Sequence, residues 1–176
     1  MSMAFAEEEI EDGMGLATAL VYEDVDDAAA WLVRRGLTSF ANLTNETGDP
    51  KRDRALLLAT EEAENAIRPH VRCWPRQLGQ HLIFPAEGVY DSRGRLLDAI
   101  LPEGEYLLEE YLQGIRLLAE ASAAGRLMPL RGSNATLQSL SSRSGSASFR
   151  AGVDLNSLST NHPEAWRLIS TMIPAL

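Results

Sequence analysis

His70, Cys73 and His81 are the side chains in this sequence whose types and spacing come nearest to a metal site. A His-x-x-Cys pair with a second histidine eight residues on is a fragment of a zinc centre. Zinc needs about four N, S or O donors within tetrahedral reach, and no convincing fourth ligand accompanies these three, so no metal is expected. Glu103, Glu105, Glu109 and Glu110 are dense enough to suggest paired-carboxylate catalysis. They fall where a helix is expected to begin, and carboxylates there simply favour the positive end of the helix dipole. Gly13 and Gly15 lack the third glycine and the preceding strand of a dinucleotide site, and no P-loop, H-E-x-x-H or G-x-S-x-G motif is present. The expectation is a protein with no catalytic residues and no cofactor. One constellation remains. Arg68, Arg72, Trp74, Arg76, Tyr90, Arg93 and Arg95 interleave cations with aromatics, as single-strand binders do. The competing and favoured reading has Trp74 filling a core gap while the arginines pair with acidic residues of the same or a neighbouring chain.

The charge distribution supports that second reading. The net charge is −9, and residues 1–66 hold 15 acids against 5 bases, whereas residues 67–176 hold 10 acids and 11 bases. An acidic chain is a poor default binder of phosphates. Of the 16 basic residues 15 are arginines, which suit interfaces because the guanidinium is weakly hydrated and forms planar, bidentate contacts. The single cysteine, Cys73, excludes an internal disulfide. No apolar run reaches the roughly 18 residues that span a bilayer. The acidic start "MSMAFAEEEIEDG" is unlike a basic signal peptide, so a soluble protein made in the cytoplasm is expected, with no membrane partner.

The elements that must position these residues are mainly helical. Residues 1–20 read as an acidic mobile or docking arm. A first helix is predicted over 25–35, capped by Asp24 and stopped by Gly36, with Trp31 on its apolar face. A second starts with Asp49 as cap and Pro50 at the first position, carries the stripe Leu56, Ala59, Ala63 and Ile67, and stops at Pro69. Its acids at 61–64 read as the wet face. A third helix over 103–124 carries Leu107, Tyr111, Leu112, Ile115, Leu118 and Ala119 on one face and ends at Gly125, with Gly114 marking close packing against another helix. Residues 131–160 are rich in Ser and Gly and read as a flexible arm or a β-hairpin turning near "RSGS". Pro163 starts a last helix, over 163–172, that places Trp166, Ile169 and Ile173 together. The predicted fold is a small helical bundle of about four helices with an extended or β-hairpin arm and extended termini. Its parts are a helical domain over 1–130 with a docking loop at 72–102, the arm at 131–160, and the C-terminal helix and tail at 161–176.

Several stretches resemble one family of tailed-phage proteins. They are "CWPR" at 73–76, "EGVYDSRGRLL" at 87–97, "ILPEGEYLLEEYLQGIRLLAEA" at 100–121 and "RLMP" at 126–129. The N-terminal "EDGMGLATALVYEDVDDAAAWLVRRG" and C-terminal "NHPEAWRLISTMIPAL" follow the same pattern, so the resemblance covers most of the chain. That family is the DnaT-like single-stranded-DNA-binding proteins, whose members sit among phage head genes and look like head-to-tail connector, or adaptor, proteins. Residues 77–88 look like an insertion relative to it, and residues 131–150 carry fewer charges than its usual arm. The resemblance implies a virion structural protein at the neck. It would form a homo-oligomeric ring, commonly of twelve copies, between the portal protein and the next tail or neck protein. Packaged DNA would pass through without specific binding, repelled by acids facing the channel. Such a ring needs one patch to meet a different patch on its neighbour. The residues expected to dock to a sister copy, the portal or the tail are Arg72, Trp74, Arg76, Phe84, Tyr90, Arg93, Trp166, Ile173 and Leu176. The rival expectation is a single-stranded-DNA-binding accessory protein for phage replication.

Overall fold

The computed structural model of the chain describes residues 5–46, 49–71, 73–127 and 155–173. It is mainly helical. The described helices are α1 (Val25–Val33), α2 (Lys51–Ile67), α3 (Glu109–Ala123), α4 (Leu155–Asn161) and α5 (Pro163–Ile169), with 3-10 turns at Glu7–Glu9, Leu97–Ala99 and Ser170–Met172. Among the described residues there are two antiparallel two-stranded ribbons: β1 (Asn45–Glu46) with β2 (Asp49–Pro50), and β3 (Trp74–Pro75) with β4 (Ala86–Glu87). No helix among the described residues is long and apolar enough to cross a membrane.

Helix α1 forms as its sequence dictates. The Asp24 carboxylate accepts from the Asp26 N–H at 2.7 Å, and Gly36 takes the left-handed conformation (φ 75°) that lets the chain leave. Helix α2 differs at its start. Asp49 is not its cap, because Asp49 and Pro50 are extended and pair with β1, and Pro50 itself occupies the cap position. The predicted stripe Leu56, Ala59, Ala63 and Ile67 is fully buried. The expected wet face is only partly so: Glu61 is exposed, but Glu62 and Glu64 are buried, as are Ala55, Thr60 and Ala66. So much alanine lets neighbours approach α2 from more than one side, and a helix buried on several sides draws its polar residues inward too.

Helix α3 is the hub, packed against α2 and against α5. It starts at Glu109 rather than 103, because residues 102–108 form a turn through Gly104 (φ 87°) instead. The predicted close approach at Gly114 is present. A Cβ there would stand 2.6 Å from Ile169 Cγ1 and 3.1 Å from the Ala165 carbonyl oxygen. Glycine is therefore what lets α5 cross α3 at this distance.

Two further expectations change. Residues 5–20 are not a free arm: Ile10 bridges Val21, and the Glu11 N–H donates to the Val21 carbonyl at 2.9 Å. In the stretch read as a flexible or hairpin arm, residues 131–154 lie outside the described residues, while Leu155–Asn161 is the helix α4, packed on α5.

Candidate functional site

The described part, 73–102, of the segment expected as a docking loop divides into an inner and an outer half. Leu82, Ile83, Phe84, Ala86, Val89 and Leu97 are buried in the core, and Phe84 is completely enclosed. Phe84 is thus a core residue and not a docking one. Its ring lies 5.6 Å from that of Tyr111 and 6.5 Å from that of Tyr22, in the edge-on and tilted arrangements aromatic rings favour. On the outer half Trp74 is 78% exposed and Leu78 is 99% exposed. Trp74 therefore fills no core gap.

The structure fixes this hairpin from three directions. Within it, the Gln80 side-chain amide donates to the carbonyls of Leu82, Ile83 and Pro85 at 2.9, 3.1 and 2.9 Å. The Arg76 guanidinium donates to the Gly13 carbonyl at 2.8 Å and so ties the outer strand to the N-terminal segment. From below, Glu64 of α2 accepts the Ile83 N–H at 2.8 Å, and the Tyr22 hydroxyl accepts the Phe84 N–H at 3.2 Å. Thus the exposed Trp74 and Leu78 sit on a braced platform.

Tyr90 and Arg93 belong to a second feature, a turn closed by the Tyr90–Leu96 bridge. Asp91, only 4% exposed, organises it by accepting the Arg93 and Arg95 N–H groups at 3.0 and 2.8 Å and the Arg95 guanidinium at 2.8 Å. Burial alone would raise the Asp91 carboxyl, but the Arg95 and Arg93 donors outweigh it and hold it below the usual range. The Ser92 N–H donates to the Thr171 carbonyl at 2.9 Å. This joins the turn to the C-terminal 3-10 segment, so Tyr90 and Arg93 share a region with Ile173. Trp166 and Ile173 are half-buried and packed against the core. Arg72 and Leu176 lie outside the described residues. The nine expected docking residues therefore do not form one patch: Trp74 and Arg76 are on the hairpin, Tyr90 and Arg93 on the turn, and Phe84 inside.

Sequence reasoning missed the buried acids. Glu11 turns both oxygens onto a loop, accepting Gly13 and Gly15 N–H at 2.9 and 2.7 Å and Leu16 N–H at 2.9 Å. The two glycines adopt φ 94° and 82° to wrap it, which is what the Gly-Met-Gly stretch is for. Glu120 accepts the Ser39 and Phe40 N–H groups at 2.9 and 2.8 Å. Glu23 grips the Arg116 guanidinium at 2.7–3.0 Å, and Glu109 takes its other side at 2.6 Å. Burial raises the Glu23 carboxyl against the opposing pull of Arg116. Arg35 stacks over half-buried Trp31 at 3.6 Å from the ring centroid, and the Arg116 guanidinium lies 5.2 Å from the same ring.

Glu64 has the most unusual surroundings. It is 4% exposed and accepts from the Tyr22 and Tyr111 hydroxyls, the Ile83 N–H and the half-exposed Arg68 guanidinium. Burial pushes its carboxyl up to about 7, although hydrogen bonds from Tyr22, Ile83 and Tyr111 and the Arg68 charge all pull the other way. The two phenols are in turn raised well above their ordinary value, first by burial and then by the Glu64 charge. Cys73, half-buried nearby, has its thiol raised mainly by burial, so it is a poor nucleophile. Among the described residues no group of three or more His, Cys, Asp or Glu side chains could hold a metal ion. Comparison with protein-family models, curated proteins and solved structures finds no match to this chain.

Proposed function

We propose that the chain is a virion structural protein, a head-to-tail adaptor that forms a ring between the portal and the tail. The observation that carries the reading is the braced hairpin that holds Trp74 and Leu78 in water. Ordering a platform by hydrogen bonds from three directions while leaving two large apolar side chains exposed makes physical sense when a partner covers them. The partner favoured here is a sister copy. Arg93 is exposed on the turn, and Arg68, Arg76 and Arg95 lie on or beside the hairpin and turn although already bonded to Glu64, the Gly13 carbonyl and Asp91, while Glu7, Glu8, Asp12 and Asp27 are exposed on the N-terminal half. Unlike patches of this kind suit the head-to-tail contacts of a closed ring. The resemblance of "CWPR", "EGVYDSRGRLL" and the α3 region to phage adaptors points the same way.

The conduit part of the reading needs adjusting. Glu11, Glu23, Asp53, Glu62, Glu64, Asp91 and Glu120 are buried, so repulsion of a threaded duplex rests on the remaining exposed acids. The test is the purified phage particle. Cryo-electron microscopy of its neck should show the chain as a ring under the portal with the 73–87 hairpin against a neighbouring copy. Absence of the chain from purified particles would sink the reading.

The single-strand-binding reading keeps one observation in its favour: Trp74, Tyr90, Arg93 and Arg95 are exposed. Against it, Arg76 is turned to the Gly13 carbonyl and Arg95 to Asp91, and the two aromatics stand on separate features. A filter-binding titration at low and physiological salt separates the readings. Single-strand binding predicts steep salt dependence, lost in Trp74→Ala.

A further inference from the structure

Among the described residues, the four groups hydrogen-bonded to Glu64 are donors, and they divide by oxygen. Oε2 accepts the Ile83 N–H and the Arg68 guanidinium, neither of which has a lone pair to offer a proton. Among the described residues Oε1 faces the Tyr22 and Tyr111 hydroxyls, each of which can rotate from donor to acceptor. The carboxyl can therefore take a proton at Oε1 without a clash of donors, and only there. Tyr22 cannot reorient in isolation, because its oxygen also receives the Phe84 N–H. The same two backbone amides, Ile83 and Phe84, lead into β4 of the exposed hairpin.

We propose that Glu64 is a proton-operated latch beneath the hairpin. Ionised, it holds the Ile83 N–H with a full negative charge and fixes Tyr22 as a donor. Protonated, it holds that N–H as a neutral acceptor, and the phenols re-sort around the new O–H. Hydrogen bonds to a charged acceptor are about twice as strong as neutral ones, so proton uptake loosens the seat of residues 82–86.

The described groups that face Glu64 come from several neighbouring elements. Tyr22 arrives from the segment before α1, Tyr111 from α3, Arg68 from the C-terminal cap of α2, and Cys73 from the start of the hairpin. His81 and Glu61 line, with Glu64, an open cleft of about 340 Å³ that also includes Leu20, Thr60, Asn65, Arg68 and Leu82. That cleft gives protons a route from solvent. Among the described residues Arg68 is the cation bonded to the carboxylate, and it is half in water, where its charge is screened. Burial therefore dominates, and the exchange falls near neutrality rather than in the ordinary carboxylate range. The inference does not depend on the ring, since the latch is complete within one chain.

Amide NMR of the isolated full-length chain, titrated from about pH 5 to 9, tests it. The Ile83 and Phe84 amides are expected to titrate together with one midpoint within about a unit of 7. The Ile83 proton should move downfield as pH rises and its acceptor becomes charged. Glu64→Gln should abolish both titrations, and His81→Gln should leave them in place. Flat shifts across this range would overturn the proposal, as would titrations that survive Glu64→Gln or vanish with His81→Gln. Should Glu64→Gln not fold, Tyr111→Phe removes one donor from the ionised form and should raise the midpoint by several tenths of a unit. An unmoved midpoint would count against the latch as firmly.

Discussion

Tyr22 and Glu23 are consecutive in the chain, and each belongs to a different buried acid site that takes a partner from α3. Through Tyr22 the chain meets Glu64 and Tyr111; through Glu23 it meets Arg116. Both carboxyls are raised by burial, yet they are compensated in different currencies. Glu23 is met by a guanidinium that is itself buried, with a side chain only 10% exposed. Burial opposes the Arg116 charge, but Glu23 and Glu109 outweigh it and keep it above its ordinary value. Glu64 is met by phenols, an amide and a half-exposed guanidinium, so much of its compensation comes from dipoles. The Glu23 charge has a direct, buried Coulombic partner in Arg116. A charge answered largely by dipoles is left free to exchange its proton. The first makes a fixed strut; the second makes a responsive joint.

The contrast breaks if Arg116 proves dispensable. Arg116→Met should leave Glu23 buried without its cation and cost about 3–5 kcal/mol in urea unfolding at pH 7.5. Adding Glu23→Gln to that variant should recover part of the loss, because no unpaired charge then remains inside.

Glu64 should instead reveal itself through pH. Its folded carboxyl lies near 7, above an ordinary value of 4.5. The folded form thus binds a proton the unfolded chain has released. That contribution is fully present below about pH 4.5 and is lost as pH rises through 7. It amounts to about 3 kcal/mol across the window, read as the difference in unfolding free energy between wild type and Glu64→Gln. Equal pH dependence in the two proteins would remove the distinction drawn here. Protonation can favour the fold as a whole while weakening the local grip on Ile83, since the cost relieved is that of burying a charge.

Gly114→Ala probes the scaffold that both sites share. The added methyl would meet Ile169 Cγ1 and the Ala165 carbonyl, for a loss of about 1–3 kcal/mol, even after Ala's helix preference of about 1 kcal/mol. The smallest effect belongs to the exposed platform. Trp74→Ala and Leu78→Ser should alter stability by no more than about 0.5 kcal/mol, while reducing any concentration-dependent association seen by analytical ultracentrifugation. If these substitutions unfolded the chain, the platform would be core and the docking argument would fail.

Local signals made much of the fold legible. Asp24, Gly36, Gly125 and Pro163 act near their own positions in the chain, and the α2 and α3 stripes repeat at helical spacing. The start of α3 was read too early because Glu103 and Glu105 continue an acidic, helix-like composition through a turn that only Gly104 interrupts. The buried acids were hidden for a different reason. Glu64 finds Tyr22 42 positions before it and Tyr111 47 positions after it, and no periodicity links those residues. The available clue was the alanine content of α2, which marks a helix packed on several sides. Phe84 was misplaced because a loop rich in apolar residues shows that something is covered, not whether the chain itself or a partner covers it.

The three tryptophans fall one to a region: Trp31 on α1 beneath Arg35, Trp74 on the open hairpin, and Trp166 on α5. Their intrinsic fluorescence is therefore spatially resolved by construction. Trp74, in water, should emit at the longest wavelength and shift blue when anything settles on the hairpin, while Trp31 and Trp166 supply a steady background from the folded body. With those two replaced by phenylalanine, the chain becomes its own single-channel optical reporter of hairpin contact.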